Sequence, residues 1–290
     1  MLLSPEFLTR LEYLTLVSRQ AMAGQSQGLR RSIQRGQSIE FADFRAYTPG
    51  DDFRRIDWNA YARLGRLFVK LFIEEEDLTI HLLVDSSRSM DWGDPNKFLY
   101  ARRLAAALAF VALHGLDRVT LTAFAPQEEH APPFFPPQRS KDCLPALFTF
   151  LENLPISPHT HLGKRLQRYA AQPHPKGPLL LLSDLFDPTW QQGIHALSRR
   201  GYEITLLHIL APQEWEPDIS GEVRLRDVES GARLEVSMDE ATLRRYQHAL
   251  HAWQGEIRTF CQARQVLYVP VNTGTPLETL LFAHLGDLLS

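Results

Sequence analysis

The chain has 290 residues, enough for one large domain or two smaller ones with a substantial hydrophobic core. Its 44% hydrophobic and 22% charged residues are typical of a globular protein, and a net charge of −3 predicts no general attraction to nucleic acid or to an anionic membrane. The two cysteines, Cys143 and Cys261, lie far apart without a CxxC pattern. This argues against a disulfide framework and favours a reducing, cytoplasmic compartment.

The first predicted element is a helix over 5–23, where leucines recur at helical spacing. The N-terminus lacks the basic and apolar regions of a signal peptide, and no apolar helical stretch is long enough to span a bilayer. We therefore expect neither a signal peptide nor an integral membrane segment.

The next segment, 30–70, does not show the alternation of strands and helices that follows it. We expect a small β-rich subdomain here, joined by a hairpin at 222–237 with its turn at Glu229-Ser230-Gly231. The predicted domains are therefore 1–76 and 77–290.

The larger predicted domain alternates strands with helices, which indicates a parallel sheet with right-handed crossovers and helices on both faces. Its main strands are predicted at 78–84, 118–124, 178–184, 202–210 and 266–271. Its helices are predicted at 96–115, 142–154, 160–171, 189–200, 239–265 and 276–289. The proline-rich stretch 125–137 is expected to be irregular, with a short edge strand.

The first strand of this domain ends in a group of oxygen-bearing side chains. Asp85 follows the apolar run from Ile80, and Ser87 and Ser89 come next at alternate positions. One carboxylate and two hydroxyls suit Mg²⁺, which prefers six oxygen ligands at about 2.0–2.1 Å and usually keeps some water. Open positions of such a site could accept an oxygen from another molecule. Alternatively, Asp85 ends the strand and the serines cap the following helix.

Two later side chains could complete the same site. Asp184 ends a second buried strand, which is bounded by Gly177 and Pro178. Ligands of open parallel sheets bind beyond the carboxyl ends of strands, where the strand order reverses, so Asp85 and Asp184 are expected to converge. Thr160 lies in a polar loop between them in sequence, and it would add a hydroxyl or else serve only as a helix N-cap.

The order of these candidate ligands resembles the metal-ion-dependent adhesion site of von Willebrand factor A domains: Asp85, Ser87, Ser89, Thr160 and Asp184. The resemblance covers roughly 77–290 and implies a three-layer, Rossmann-like α/β fold with a mostly parallel sheet. In that family the first Asp and the two Ser contact the metal directly or through water, and the Thr and the last Asp complete the shell. A partner's carboxylate often takes the open position. The implied cofactor is Mg²⁺ or Mn²⁺. Many members carry glycine where this chain has Leu185.

A second resemblance comes from motifs in the first third of the chain. In order they are Glu40-Phe41, Arg45-Ala46-Tyr47, Pro49-Gly50-Asp51-Asp52, Arg54-Arg55-Ile56-Asp57-Trp58 and Ala62-Arg63. This order is similar to the signature of the bacterial domain of unknown function 58 family, and the likeness extends over nearly the whole chain. Members of that family are typically encoded beside MoxR-type AAA+ ATPases. The resemblance implies such a partner without identifying a reaction.

Three arginines are candidate partner contacts. Arg54 and Arg55 lie in the block from Asp51 to Trp58, and Arg88 lies inside the predicted metal loop. Arginine and tryptophan are over-represented at binding hot spots. Alternatively, the block is an internal ion-pair network and Arg88 points to solvent. Acids interleaved with the arginines argue against a nucleic-acid face.

We expect a non-enzymatic, metal-dependent module that grips an acidic residue of another protein and works with a MoxR-type ATPase. The chain has no GxxxxGK[ST] phosphate loop. The enzyme alternative is a metal-dependent phosphohydrolase with Asp85 as its nucleophile. It is disfavoured because Ser87 stands where haloacid-dehalogenase-type phosphatases place their general acid. A third possibility is a structural module without metal.

Overall fold

The structure, a computed structural model, describes residues 2–13, 40–48, 51, 53, 56–73, 79–124, 131–157, 161–228 and 231–288. The chain forms two compact units. The smaller is Arg19–Asp77, and the larger combines Met1–Ser18 with Leu78–Ser290. The hairpin predicted at 222–237 is part of the larger unit, and its association with the N-terminal subdomain stays a prediction.

The first helix, α1 (residues 5–13), belongs to the larger unit. Leu11 is buried in the core of that unit, and Arg10 forms an exposed ion pair with Glu278 at 2.9 Å. The contacts of α1 are thus with the larger unit, whereas the predicted domain 1–76 groups this helix with the β-rich segment. The remainder of the predicted helix lies outside the described residues.

In the smaller unit, the described residues form an antiparallel strand pair and a short helix. The strands are β1 (Glu40–Ala46) and β2 (Phe68–Ile73), and the helix is α2 (Trp58–Leu64). Asp57 begins α2 by accepting hydrogen bonds from two backbone N–H groups of the first turn. Gly65 ends the helix with a φ of 63°, a left-handed conformation that glycine adopts without strain.

The larger unit is built around a six-stranded sheet, with a separate two-stranded hairpin. Its strands, in chain order, are β3 (Thr79–Asp85), β4 (Arg118–Phe124), β5 (Phe134–Gln138), β6 (Pro178–Ser183), β7 (Glu203–Leu210), β8 (Gly221–Arg226), β9 (Arg233–Met238) and β10 (Leu267–Asn272). The order across the main sheet is β10-β7-β6-β3-β4-β5. Neighbouring strands run parallel except at the edge, where β5 is antiparallel to β4. The predicted α/β architecture with a mostly parallel sheet is confirmed.

Helices cover both faces of this sheet. They are α3 (Lys97–His114), α4 (Leu144–Glu152), α5 (Leu162–Ala171), α6 (Trp190–Arg200), the single turn α7 (Pro212–Trp215), α8 (Glu240–Gln262) and α9 (Leu277–Leu288). One apolar cluster joins α3, α4 and α9 to the sheet, and a second joins α5, α6 and α8 to it. Leu82 belongs to the first cluster and Leu83 to the second, because successive strand residues face opposite sides. The sheet is therefore the middle of three layers.

Among the described residues, no helix is both long and apolar enough to cross a membrane. The 18-residue helix α3 has most of its side chains in the core. Asn96 begins α3 by accepting a hydrogen bond from the backbone N–H of Leu99 at 2.9 Å. The N-cap of α3 is therefore Asn96 and not one of the serines in the preceding loop.

Candidate functional site

The two candidate acids lie at the carboxyl ends of adjacent parallel strands. Asp85 is the last residue of β3, and Asp184 directly follows Ser183 at the end of β6. The chain continues from β3 to β4 on one side, whereas β6 lies on the other side of β3. This is the point at which the strand order reverses, the usual position of a ligand site in such sheets. Both acids are buried.

Hydrogen bonds hold the Asp85 carboxylate on both of its oxygens. Oδ1 accepts from the backbone N–H of Ser87 at 2.9 Å, and Oδ2 accepts from the hydroxyl of Ser183 at 2.6 Å. Burial raises the pKa of Asp85, and the nearby charge of Asp184 raises it further. The two carboxylates are therefore close enough to repel each other, and a cation between them would relieve that repulsion.

The two serines of the predicted metal loop face each other. Ser87 and Ser89 are buried, and their Oγ atoms lie 2.9 Å apart. Their loop is anchored by Ser86, whose hydroxyl donates to the carbonyl of Phe124 at the end of β4 at 2.7 Å. The serines do not cap α3, since Asn96 does. The capping alternative is thus wrong, and the hydroxyls remain available as ligands.

Thr160, the remaining candidate ligand, lies outside the described residues. The residues on either side of 158–160 are held by the loops that carry the two acids. Ser157 donates its backbone N–H to the carbonyl of Ser86 at 2.6 Å, and the N–H of Leu162 donates to Asp187 at 2.7 Å. The assignment of Thr160 as a ligand stays a prediction.

A buried lysine, which the sequence did not single out, contacts Asp184. The ammonium of Lys97 lies 2.9 Å from Oδ2 of Asp184 and 2.6 Å from Oε1 of Glu214. Glu214 also accepts the N–H of Ala211 through its other oxygen at 2.7 Å, at the start of α7. Burial raises the pKa of Glu214, although the Lys97 ammonium opposes that effect. Lys97, at the first position of α3, thus links the loop after β6 to α7.

His208, on β7, supports the backbone of Asp184. Its Nε2 lies 3.1 Å from the Asp184 carbonyl, which can only accept, so Nε2 donates. Its Nδ1 lies 2.9 Å from the hydroxyl of Tyr268. Burial lowers the pKa of His208 to about 4, so the imidazole is neutral at physiological pH. The carboxylate and the carbonyl of Asp184 are therefore both held.

Two half-exposed aromatic rings stand beside this centre, and we call them the aromatic rim: Trp92 and Phe186. Trp92 is 41% exposed and Phe186 is 49% exposed, and their ring centres lie 5.9 Å and 4.8 Å from the Lys97 ammonium. Each follows a candidate ligand within three residues in sequence. Phe186 also stacks on Trp253 at 5.6 Å. Arg88 is exposed in the same loop as the serines.

Leu185 directly follows Asp184, the last candidate ligand, at the position where the resemblance to von Willebrand factor A domains predicts glycine. Its φ is 58°, a left-handed conformation that costs a non-glycine residue about 1–2 kcal/mol. Its N–H donates to the hydroxyl of Ser183 at 3.0 Å, and its side chain is buried in the second apolar cluster. Burial of the leucine side chain offsets the strain, so this backbone shape is kept without glycine.

The acidic and arginine-rich block of the smaller unit is partly an internal network. Asp51 forms an ion pair with Arg45 at 2.7 Å and accepts the N–H of Thr48 at 2.8 Å. These two interactions, the Thr48 bond first, lower the pKa of Asp51 to about 2. Arg54 and Arg55 lie outside the described residues, so their role in partner binding stays a prediction.

The donor set fits a hard divalent cation. Asp85, Asp184, Ser87 and Ser89 offer only oxygen atoms, which Mg²⁺ and Mn²⁺ prefer over the softer transition metals. In the part of the chain that the structure describes, no group of three His, Cys, Asp or Glu side chains is placed to hold a metal ion. Both cysteines are free thiols.

Proteins of two mycobacteria are similar to this chain over most of its length. "Uncharacterized protein Rv1480" of Mycobacterium tuberculosis strain H37Rv is 28% identical over an alignment of 258 residues, and the match covers 87% of this chain and 80% of that protein. "Uncharacterized protein Mb1516" of Mycobacterium bovis matches with the same identity and coverage.

Two solved structures show a more distant similarity. The conserved hypothetical protein BatB of Bacteroides thetaiotaomicron is 15% identical, over 72% of this chain and 97% of that one, with a TM-score of 0.44. A von Willebrand factor type A structure from Catenulispora acidiphila is 13% identical, over 74% of this chain and 42% of that one, with a TM-score of 0.41.

A family model matches parts of both compact units. The model described as "Protein of unknown function DUF58" matches residues 43–256, from β1 into α8. This match spans well over half of the chain, and it includes both candidate acids. The protein therefore belongs to the DUF58 family.

Proposed function

We propose that this protein is a metal-dependent protein-binding module that grips an acidic side chain of its partner. The ligands would be Asp85, Ser87, Ser89, Thr160 and Asp184, with Mg²⁺ or Mn²⁺ as the ion. The observation that carries the proposal is the gathering of two buried carboxylates and two buried hydroxyls at the reversal point of the sheet.

The chain's own residues prepare the centre for this role. Ser183 and the backbone of Ser87 orient Asp85, and His208 and Lys97 hold Asp184. When bound, a divalent ion would supply an open coordination position for a partner carboxylate. The hydroxyl ligands are neutral, so Asp85 and Asp184 are the only proposed protein ligands that would oppose the charge of the ion.

The aromatic rim would provide a second set of contacts to the partner. Exposed aromatic side chains are frequent anchors of protein interfaces, and Arg88, exposed in the loop of the two serines, adds a positive charge. A partner whose acidic side chain reaches the centre would lay its neighbouring residues on Trp92 and Phe186. We therefore expect an apolar residue next to the acid in the partner's binding segment.

The proposed partner is a MoxR-type AAA+ ATPase, which would act with this protein in assembling or activating a third protein. This partner is inferred from the family resemblance. A cytoplasmic location, also part of the proposal, is supported by the two free thiols. The phosphohydrolase alternative has less support, because the position of its general acid is held by Ser87, whose hydroxyl contacts Ser89.

The test is binding of the purified protein to the purified MoxR-type ATPase in Mg²⁺, measured by a titration with a labelled chain. Chelation would also disturb the ATPase, so the comparison uses variants. Asp85→Ala removes a candidate ligand, and Asp218→Ala removes an exposed acid of equal charge. We expect Asp85→Ala to weaken binding by about tenfold or more, because the interface would lose its charged metal centre. Equal affinity of both variants would contradict the proposal.

A further inference from the structure

We infer that Lys97 is a built-in cation of the candidate metal centre, which holds Asp184 before a divalent ion binds and lowers the affinity for that ion. The inference rests on the proposed function, because it assigns Asp184 to the same centre. It adds a residue outside the expected ligand set, at the start of α3.

Burial and charge pairing fix the position of the Lys97 ammonium. The Lys97 side chain is 0% exposed, whereas lysines almost never become fully buried unless they are paired. Its two carboxylate partners come from separate parts of the chain, Asp184 from the loop after β6 and Glu214 from α7. The ring of Phe186 lies 4.8 Å from the ammonium, which adds a cation–π contact. The ammonium is therefore enclosed by two acids and an aromatic ring.

In its fully ionised state this cluster carries more negative than positive charge. With every group ionised, the carboxylates of Asp85, Asp184 and Glu214 and the ammonium of Lys97 leave a charge of −2 (−3 from the acids and +1 from the lysine). A divalent ion would neutralise this cluster. Lys97 alone provides enough charge to orient Asp184, but not enough to compensate all three acids.

The same ammonium opposes a divalent ion at Asp184. The ammonium lies 2.9 Å from Oδ2 of that carboxylate, so a divalent ion bound to Asp184 would lie close to another positive charge. Like charges repel each other strongly where water is excluded. Glu214 binds Lys97 at 2.6 Å and keeps the ammonium in place. Replacing Lys97 by a neutral side chain of similar length should therefore destabilise the ion-free protein and tighten ion binding.

The experiment measures Mn²⁺ and Mg²⁺ affinity by calorimetry, and the melting temperature with each ion or with chelator. The variant is Lys97→Met, which keeps the length of the side chain and removes its charge. We expect a lower melting temperature without ion, an affinity for the ion raised by about tenfold or more, and recovery of the lost stability when the ion is added. A purely structural lysine would lower the melting temperature without raising ion affinity.

A second variant covers the case in which Lys97→Met does not fold. The double variant Lys97→Met/Glu214→Gln removes one positive and one negative charge, so the net charge of the cluster is unchanged. It frees Oδ2 of Asp184 and leaves no unpaired glutamate. The same rise in ion affinity is expected in the double variant.

The possible outcomes separate this inference from the proposed function. If the wild type binds the ion and the variants bind it no more tightly, the inference is overturned and the proposed function stands. If the wild type binds no ion but the variants do, Lys97 replaces the ion, which supports the inference and contradicts the proposed function. If none of them binds the ion, both are overturned.

Discussion

At the scale of single residues, His81 shows how burial fixes a protonation state. It lies in β3 and is fully buried. Its Nε2 lies 3.0 Å from the carbonyl of Pro175 and therefore donates to it, and its Nδ1 lies 2.7 Å from the hydroxyl of Tyr169. Burial lowers the pKa of His81 to about 4, and the neighbouring His174 contributes to this shift. The neutral ring is thus the form that fits the fold.

This state predicts a pH dependence of stability. Between pH 4 and 6.5 the unfolded chain binds a proton at His81 that the folded chain does not, so the free energy of unfolding falls as the pH falls. The contribution is complete above the unfolded pKa, and its loss toward pH 4 amounts to about 3 kcal/mol. His81→Gln should make this part of the profile less steep in urea unfolding measured from pH 4 to 7.5, while His208, whose pKa burial also lowers to about 4, keeps its own contribution.

The control for this measurement is His195→Gln, which replaces an exposed histidine of α6. It should keep the slope of the wild type. If His81→Gln keeps the same slope as well, the stability loss at low pH comes from other groups, and the role given to His81 is wrong.

The sequence pointed to the acids and hydroxyls of the centre but not to its lysine. Asp85, Ser87 and Ser89 stand out because they follow an apolar strand at alternate positions. Lys97 gives no such signal, because a lysine in the first turn of a helix normally reaches solvent. Its burial depends on Glu214, which is 117 residues away in the chain. A pairing over that distance depends on the fold and cannot be read from local pattern.

At the scale of secondary-structure elements, close packing of α5 against the start of α6 fixes the loops around the centre. A methyl group on Gly163 would overlap the backbone carbonyl of Thr189. The helix that begins directly after the 158–160 segment is therefore held against the loop that follows Asp184. Glycine is required here by the close approach of two backbones.

We predict that Gly163→Ala destabilises the protein by about 2 kcal/mol or more, since one of the two backbones must shift. The matched control is Gly255→Ala in the exposed part of α8, where an added methyl group meets no atom within 4 Å. That change should stabilise the helix by up to about 1 kcal/mol. Urea unfolding of both variants measures whether Gly163→Ala lowers the free energy of unfolding and Gly255→Ala raises it. Equal effects would mean that the α5–α6 contact is looser than described.

The long apolar elements, the short edge strand β5 and the β8–β9 hairpin were predictable from the sequence, whereas the single turn α7 was not. The apolar runs of β3 and β6 and the helix α3 lie where their patterns predict them, because burial on both faces demands continuous apolar residues. The single turn α7 has too few residues to show a period. It nevertheless supplies Glu214, so an element of the candidate centre was missed.

At the scale of the whole molecule, the order of strands brings the separate motifs together. Asp85 and Asp184 are 99 positions apart in sequence, yet β3 and β6 are neighbours in the sheet. Alternation of strands and helices predicted the layers and the parallel direction, but strand order is set by packing that no single segment encodes. For the smaller unit, the family motifs gave more information than the hydrophobic pattern.

The most direct test of the metal-dependent account is thermal unfolding with increasing Mg²⁺ or Mn²⁺, against a chelator. The wild type is compared with Asp85→Asn, which keeps the shape of the ligand, and with Asp218→Asn as the exposed control. An ion at 100 times its dissociation constant should stabilise the native state by roughly 2.7 kcal/mol. We predict that the melting temperature rises in the wild type and in Asp218→Asn but not in Asp85→Asn. No rise in the wild type, or the same rise in all three proteins, would contradict the account.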